Sequence, residues 1–122
     1  MLTLARSMKI YFSSKPADMR KSFDGLSGLV ASTLEVDPLS GHLFVFLNRR
    51  ADRIKMLYWD GDGQAIWYKR LEKGTFRIPV VKQHGEKPRI ELTVAELAML
   101  LEGIELKNIH RRTRYALPTN TQ

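Results

Sequence analysis

The first third of the chain spaces its apolar residues in two different ways. Within Lys9–Ser13, Ile10 and Phe12 alternate with Tyr11, which predicts a short strand. The segment that follows contains serines and a proline, which suit the start of a helix. Beyond it, apolar residues recur at spacings of 4, 3, 4 and 4, namely Met19, Phe23, Leu26, Val30 and Leu34. This spacing predicts an amphipathic helix.

The centre of the chain contains three strand-like segments separated by short polar turns. The segments are His42–Asn48, Arg53–Trp59 and Gln64–Leu71. Symmetrical turns at positions 49–52 and 60–63 would place Lys55 opposite Tyr68 and Arg53 opposite Arg70. We therefore predict an antiparallel meander in this register.

Side chains alternate between the two faces of a strand, so the meander has two predicted surfaces. The first is nearly all apolar and is expected to pack on a helix: Leu43, Val45, Leu47, Ile54, Met56, Tyr58, Ala65 and Trp67. The second mixes aromatic residues with cations: Phe44, Phe46, Asn48, Arg53, Lys55, Leu57, Trp59, Gln64, Ile66, Tyr68 and Arg70.

The C-terminal third predicts a loop, a helix and a tail. Residues 80–89 are polar and basic and are expected to form a loop. Thr93, with Glu96 three residues later, fits a helix capping box, and leucines at helical spacing follow. We expect one α+β domain over residues 1–106, an antiparallel β meander of three or more strands with both amphipathic helices packed on one face. Residues 107–122 are expected to form a flexible basic and polar tail.

Composition narrows the class of protein. The chain has 122 residues, of which 43% are hydrophobic and 27% are charged, as in ordinary globular domains. The absence of cysteine excludes disulfides, thiolate nucleophiles and cysteine-ligated metals. No secretory signal is recognisable, and no apolar stretch approaches the roughly 18 residues that a membrane span needs. We therefore expect a cytoplasmic protein without a membrane partner.

Charge points to polyanions as partners. Twenty Lys and Arg residues against thirteen Asp and Glu give a net charge of +7. Residues 43–90 alone carry eleven basic and five acidic residues. Such an excess favours nucleic acid through its electric field and through counterion release.

The sequence shows no catalytic or metal-binding pattern. Asp60 and Asp62 lack the glycine and glutamate that a calcium loop needs after them, and a hairpin turn explains them better. The other carboxylates show no spacing typical of a two-metal nuclease. His42, His84 and His110 each occur alone, outside metal-binding spacing. We predict no enzyme activity, no metal and no cofactor.

The candidate binding residues lie in the basic centre of the chain: Arg49, Arg50, Arg53, Lys55, Trp59, Tyr68 and Arg70. Cations interleaved with aromatic residues are typical of nucleic-acid surfaces. The same residues also suit a protein interface or a solvated face on which long basic side chains cover aromatic rings. Composition alone leaves these three interpretations open.

Three segments of the chain carry a family resemblance: DMRKSFDGLSGLV, DPLSGHLFVFLNRRADRIKMLYWDGDGQAIWYKRLEKGTFRIP and LTVAELAMLLEGIEL. They resemble the TnpB-like family encoded by the second reading frame of bacterial insertion sequence 66 elements. The resemblance spans Lys9 to Leu106. It implies an accessory role beside the main transposase, with no catalytic residue and no cofactor.

Residues and resemblance together give two functional hypotheses. In the first, the protein is a non-catalytic accessory factor for transposition that binds DNA, such as the transposon ends, through its basic aromatic sheet face. In the alternative, the same face makes the protein an adaptor that binds the transposase or another element-encoded protein.

Overall fold

The computed structural model describes residues 7–78 and 88–103. These residues form five strands and two α-helices. In chain order the elements are β1 Ile10–Ser13, α1 Phe23–Leu29, β2 Leu43–Leu47, β3 Arg53–Trp59, β4 Gln64–Arg70, β5 Arg89–Leu92 and α2 Val94–Glu102. A π-helical segment, Val30–Leu34, directly continues α1. The expected α+β class is confirmed.

The strands form a single sheet in the order β4-β3-β2-β1-β5. Strands β1 and β2 are parallel, whereas the other neighbouring strands are antiparallel. Parallel neighbours require a crossover from one end of the sheet to the other. Helix α1 and its π-helical continuation lie within that crossover, which brings them over one face of the sheet.

The predicted register of the meander is confirmed. Lys55 lies opposite Tyr68, Arg53 lies opposite Arg70, and Phe44 lies opposite Leu57. The N–H group of Asn48 donates to the carbonyl of Arg53, so the first turn proper is the four residues 49–52, and the second is the four residues 60–63. Because both turns have an even number of residues, the alternation of faces continues from one strand to the next.

The expectation that both helices pack on one face is wrong. Leu97 and Leu100 of α2 belong to the core on the first predicted surface, around Val45 and Met56. The buried residues of α1 and its continuation instead pack on the second surface, against Phe44, Phe46 and Leu57. The physical reason is that every residue of β2 is buried. A sheet that is apolar on both sides in its centre has to be covered on both sides.

Strand β5 is not predicted from the sequence. The loop predicted over residues 80–89 ends too late, since Arg89 already belongs to a strand and Arg89–Leu92 pair antiparallel with β1 at the edge of the sheet. Ile90 and Leu92 alternate with polar neighbours, but a four-residue alternation directly before a helix is a weak signal. Residues 80–87 of that loop lie outside the described residues.

The start of α1 differs from the prediction, whereas the start of α2 agrees with it. Met19 lies in a turn before α1, which begins at Phe23. The capping box of α2 is confirmed, because Thr93 and Glu96 exchange side-chain-to-backbone hydrogen bonds of 2.8 and 3.0 Å. Gly103, with a φ of +82°, ends α2 in the left-handed conformation that favours glycine. The predicted tail, residues 107–122, lies outside the described residues. Neither α-helix in the described ranges is long and apolar enough to cross a membrane.

Candidate functional site

The turn between β2 and β3 is organised by the side chain of Asn48. Its amide oxygen accepts hydrogen bonds from the backbone N–H groups of Asp52 and Arg53, each 3.0 Å long. Its amide nitrogen donates to Asp52 Oδ1 at 2.7 Å. Asparagine suits this position because its side chain can replace backbone partners in a turn. The arrangement fixes the segment that carries Arg49 and Arg50.

The segment after β4 also fastens this turn. The N–H group of Phe76 donates to the carbonyl of Ala51 at 2.7 Å, and the N–H group of Leu71 donates to the carbonyl of Asp52 at 2.8 Å. Ala51 has a φ of +60°, a left-handed conformation that non-glycine residues adopt at a cost. The surrounding hydrogen bonds hold it there, so the backbone of the turn is well defined.

A groove of about 610 Å³ lies beside the turn. One wall is formed within residues 48–53 and the other by residues 16–19 of the loop between β1 and α1. The N–H group of Ala17 donates to the carbonyl of Leu47 at 2.8 Å, which joins this loop to the end of β2. Arg49 and Arg50 line the groove and are exposed. Within residues 7–78 and 88–103, neither side chain makes a hydrogen bond or an ion pair.

Two further arginines stand at the adjoining end of the sheet. Arg53 and Arg70 are direct cross-strand partners on β3 and β4. Arg53 Nη1 donates to the hydroxyl of Tyr68 at 3.3 Å, and Arg70 Nη2 lies 3.6 Å from Glu72 Oε2. We call Arg49, Arg50, Arg53 and Arg70 the arginine corner.

Lys55 does not share the exposure of these arginines. It is only 8% exposed, and its Nζ donates to the carbonyls of Met19 and Lys21 at 2.8 and 2.7 Å. The same ammonium lies 4.6 Å from the centroid of the Tyr68 ring. The sequence pattern places Lys55 among the candidate binding residues because it does not show which segment covers this side chain. In the folded chain its charge joins β3 to the segment before α1.

Trp59 is 42% exposed, but it stands apart from the arginine corner. It is the last residue of β3 and Arg53 is the first, so about 20 Å separate them at the usual rise of a strand. Its ring nitrogen donates to the carbonyl of Gly61 at 3.0 Å. The expected turn at 60–63 is confirmed by a 2.7 Å bond from the N–H group of Asp60 to the carbonyl of Gly63. No cluster of three potential metal ligands occurs among the described residues.

Comparison with known proteins decides the family. The sequence model of the protein family described as IS66 Orf2 like protein matches residues 8–111. The chain belongs to this IS66 Orf2-like family. Two uncharacterized proteins of Sinorhizobium fredii (strain NBRC 101917 / NGR234) are similar to it along most of their length. The protein y4jC is 34% identical over 112 residues, which cover 92% of each chain. The protein y4hO is 32% identical over 108 residues, which cover 88% of this chain and 90% of that protein. No solved structure matches the chain.

Membership of the IS66 Orf2-like family associates the protein with insertion sequences and transposition. The arginine corner lies within the matched residues, as does the loop that forms the opposite wall of the groove. The binding roles of the seven candidate residues stay predictions. The structure gathers Arg49, Arg50, Arg53, Tyr68 and Arg70 at one end of the sheet. It buries the neighbouring Lys55 and places Trp59 at the other end of β3.

Two contributors to the groove of this IS66 Orf2-like protein were not among the predicted site residues. Asn48 was assigned only to a sheet face, although an asparagine before a polar turn is itself a signal of turn formation. The second is Asp18, whose carboxylate receives three side-chain hydrogen-bond contacts of 2.7 to 3.1 Å from Arg20. These bonds, together with one from the backbone N–H group of Arg20, hold the pKa of Asp18 well below its ordinary value.

Proposed function

We propose that this IS66 Orf2-like protein is a non-catalytic accessory factor in transposition that binds DNA through the arginine corner. The observation that carries the proposal is that the side chains of Arg49 and Arg50 are exposed and, among the described residues, not paired with a carboxylate. Both are exposed on a well-fixed turn, and within the described ranges no carboxylate pairs with either of them. Guanidinium groups in that state are suited to phosphate oxygens, which they bind with two parallel hydrogen bonds.

The placement of Arg53 and Arg70 supports the same proposal. Like charges directly opposite each other destabilise a pair of strands. A bound polyanion removes that repulsion and at the same time releases the counterions that surround DNA. Lys55 is excluded from the binding surface because it is buried and already bonded to two carbonyls.

The test is fluorescence anisotropy of the purified protein with labelled duplexes across a series of salt concentrations. One duplex carries the terminal sequence of the element, and the other has the same composition in scrambled order. We expect binding that weakens steeply with salt, because each phosphate contact contributes about −0.9 to the slope of log affinity against log salt. Tighter binding of the terminal sequence supports recognition of the transposon ends. Absence of binding to both duplexes at low salt contradicts the proposal.

Exposed aromatic residues favour a second candidate function, that of an adaptor for the transposase. Phe23 is 43% exposed, Trp59 42% and Tyr68 47%, and aromatic side chains often dominate protein interfaces. The test is a pull-down of the transposase from cells that express the whole element, at mild salt. Recovery of the transposase with the wild-type protein and its loss with Trp59→Ala support the adaptor. Failure to recover the transposase with the wild-type protein contradicts it.

A further inference from the structure

The groove contains two carboxylates beside three arginines, but neither carboxylate pairs with an arginine of the groove. Asp18 and Asp52 both line it, together with Arg49, Arg50 and Arg53. Asp18 instead pairs with Arg20, which is not a lining residue, and Arg70 pairs with Glu72. The planar guanidinium group can pair with a neighbouring carboxylate through two parallel hydrogen bonds. Each carboxylate is instead bonded to another residue, which keeps it from pairing with the arginines of the groove.

Asn48 holds Asp52. The Nδ2 atom of Asn48 donates to Asp52 Oδ1 at 2.7 Å, while its Oδ1 atom accepts from the N–H groups of Asp52 and Arg53. The orientation of the amide is unambiguous, since its oxygen faces two donors and its nitrogen faces an acceptor. The Asp52 carboxylate is thereby directed to the inside of the turn, although Arg49 and Arg50 are close to it along the chain.

Arg20 holds Asp18 in a comparable way. Its Nη2 atom lies 2.7 Å from Asp18 Oδ2 and its Nε atom lies 3.1 Å from both carboxylate oxygens. Arg20 is not among the residues that line the groove. Both carboxylates of the groove are thus bonded to partners other than its arginines, so none of Arg49, Arg50 and Arg53 is held in an ion pair with them.

We propose that this groove binds a backbone phosphate of duplex DNA, with Arg49, Arg50 and Arg53 as its ligands and Asn48 as the residue that positions them. Asn48 acts by keeping the Asp52 carboxylate from neutralising one of the arginines. The inference rests on the proposed DNA-binding function and names the site within it. Asn48 itself makes no contact with the phosphate.

The first arm of the test locates the site. Arg50→Gln removes one exposed cation of the groove, and Lys9→Gln removes one exposed cation at the opposite end of β1. Duplex binding is measured by anisotropy across a salt series. We expect Arg50→Gln to reduce the salt slope by about 0.9 and the affinity by about tenfold, and Lys9→Gln to change both much less. Equal effects of the two substitutions contradict the groove as the site.

The second arm tests the positioning role of Asn48. Asn48→Ala removes no charge, but it frees Asp52 to pair with an arginine, so we expect affinity and salt slope to fall as they do in Arg50→Gln. In Asn48→Ala/Asp52→Asn the competing carboxylate is gone, and we expect most of the affinity to return. Asp52→Asn in the wild-type background is the control, because removal of a carboxylate from the groove raises DNA affinity by itself. A purely structural role of Asn48 predicts that Asp52→Asn raises affinity no more in Asn48→Ala than in the wild type, and that result contradicts the positioning role.

Three results separate this inference from the proposed function. If the wild-type protein does not bind the duplex at low salt, the proposed function is wrong. If it binds but Arg50→Gln leaves the salt slope unchanged, DNA binds elsewhere and only the groove is wrong. If Asn48→Ala does not fold, as judged by circular dichroism, Asp52→Asn alone replaces it. We then expect at least wild-type affinity, and a clear loss of affinity contradicts the inference.

Discussion

Arg53 and Arg70 lie directly opposite each other across the antiparallel strands β3 and β4. Each reduces the repulsion by turning to a different neighbour, since Arg53 donates to the hydroxyl of Tyr68 and Arg70 approaches Glu72. Neither contact neutralises the pair fully, because Tyr68 is uncharged and the Arg70–Glu72 pair is more than half exposed. A residue pair that costs stability in the free protein is expected at a surface that binds a polyanion.

The first prediction concerns this repulsion. Arg70→Gln removes one of two opposing charges, so we expect the free energy of unfolding to stay equal or to rise by up to about 1 kcal/mol. DNA affinity should fall at the same time, with a smaller salt slope. Urea denaturation and anisotropy measure the two quantities on the same preparation. Lys69→Gln removes a charge from the neighbouring position, where β3 presents Ile54 and not an arginine, and serves as the control. A loss of stability in Arg70→Gln but not in Lys69→Gln contradicts the prediction.

The second prediction concerns the buried ammonium of Lys55. Lys55→Met keeps most of the apolar side chain but removes the donor to the carbonyls of Met19 and Lys21. We expect the free energy of unfolding to fall by about 1–3 kcal/mol, the usual cost of leaving buried polar groups without a partner. Lys69→Met is the matched control, since Lys69 is exposed on the adjacent strand and surface substitutions usually change stability by less than about 0.5 kcal/mol.

DNA binding by the same Lys55→Met variant shows whether Lys55 contacts DNA or only stabilises the fold. Measured on folded protein, at a temperature well below its unfolding midpoint, its salt slope should equal that of the wild type. A slope reduced by about 0.9, as for a lost phosphate contact, would show that Lys55 reaches DNA after all.

The third prediction uses Trp59 to discriminate between the two candidate functions. Trp59 lies at the end of β3 away from the arginine corner, so Trp59→Ala should leave duplex affinity and its salt slope unchanged. Recovery of the transposase in the pull-down should fall if the adaptor function is correct, because truncation of an aromatic side chain at an interface often costs more than removal of a peripheral charge. A tenfold loss of duplex affinity would instead assign the tryptophan to the DNA surface.

The sequence predicts local pairing in this fold much better than it predicts what covers the sheet. Alternating residues and short even turns were enough to give the β3–β4 register, including Arg53 opposite Arg70. The burial of Lys55 was not predictable, because the carbonyls that bind it belong to residues 34 and 36 positions earlier in the chain. The fully buried strand β2, with Phe44 and Phe46 on one side and Val45 on the other, did carry a signal that both faces are covered.

Within the candidate site, residue type was predictable but geometry was not. The run from Arg49 to Arg53 identified a basic turn from sequence alone. Whether Asp52 neutralises that turn depends on which hydrogen bond Asn48 makes, and composition does not show this. Strand β5 was missed for a similar reason, since its partner β1 lies at the other end of the chain.

The last prediction concerns the pH dependence of the Asp18–Arg20 pair. The side-chain hydrogen bonds from Arg20 are the largest cause of the lowered pKa of Asp18, whose ordinary value is 3.8. Because the pKa is lower in the folded state, the stabilisation is complete above 3.8 and disappears as the pH falls through the folded pKa.

Asp18→Asn tests this linkage. Both side chains are exposed, so the effect should be small and should decrease with added salt. We expect Asp18→Asn to have a slightly lower melting temperature than the wild type at neutral pH, and the difference to shrink as the pH falls below about 4. Asp62→Asn corrects for the loss of one negative charge, since within the described ranges the exposed Asp62 side chain makes no hydrogen bond or ion pair. A difference in melting temperature that is independent of pH after this correction contradicts the assigned role of the pair.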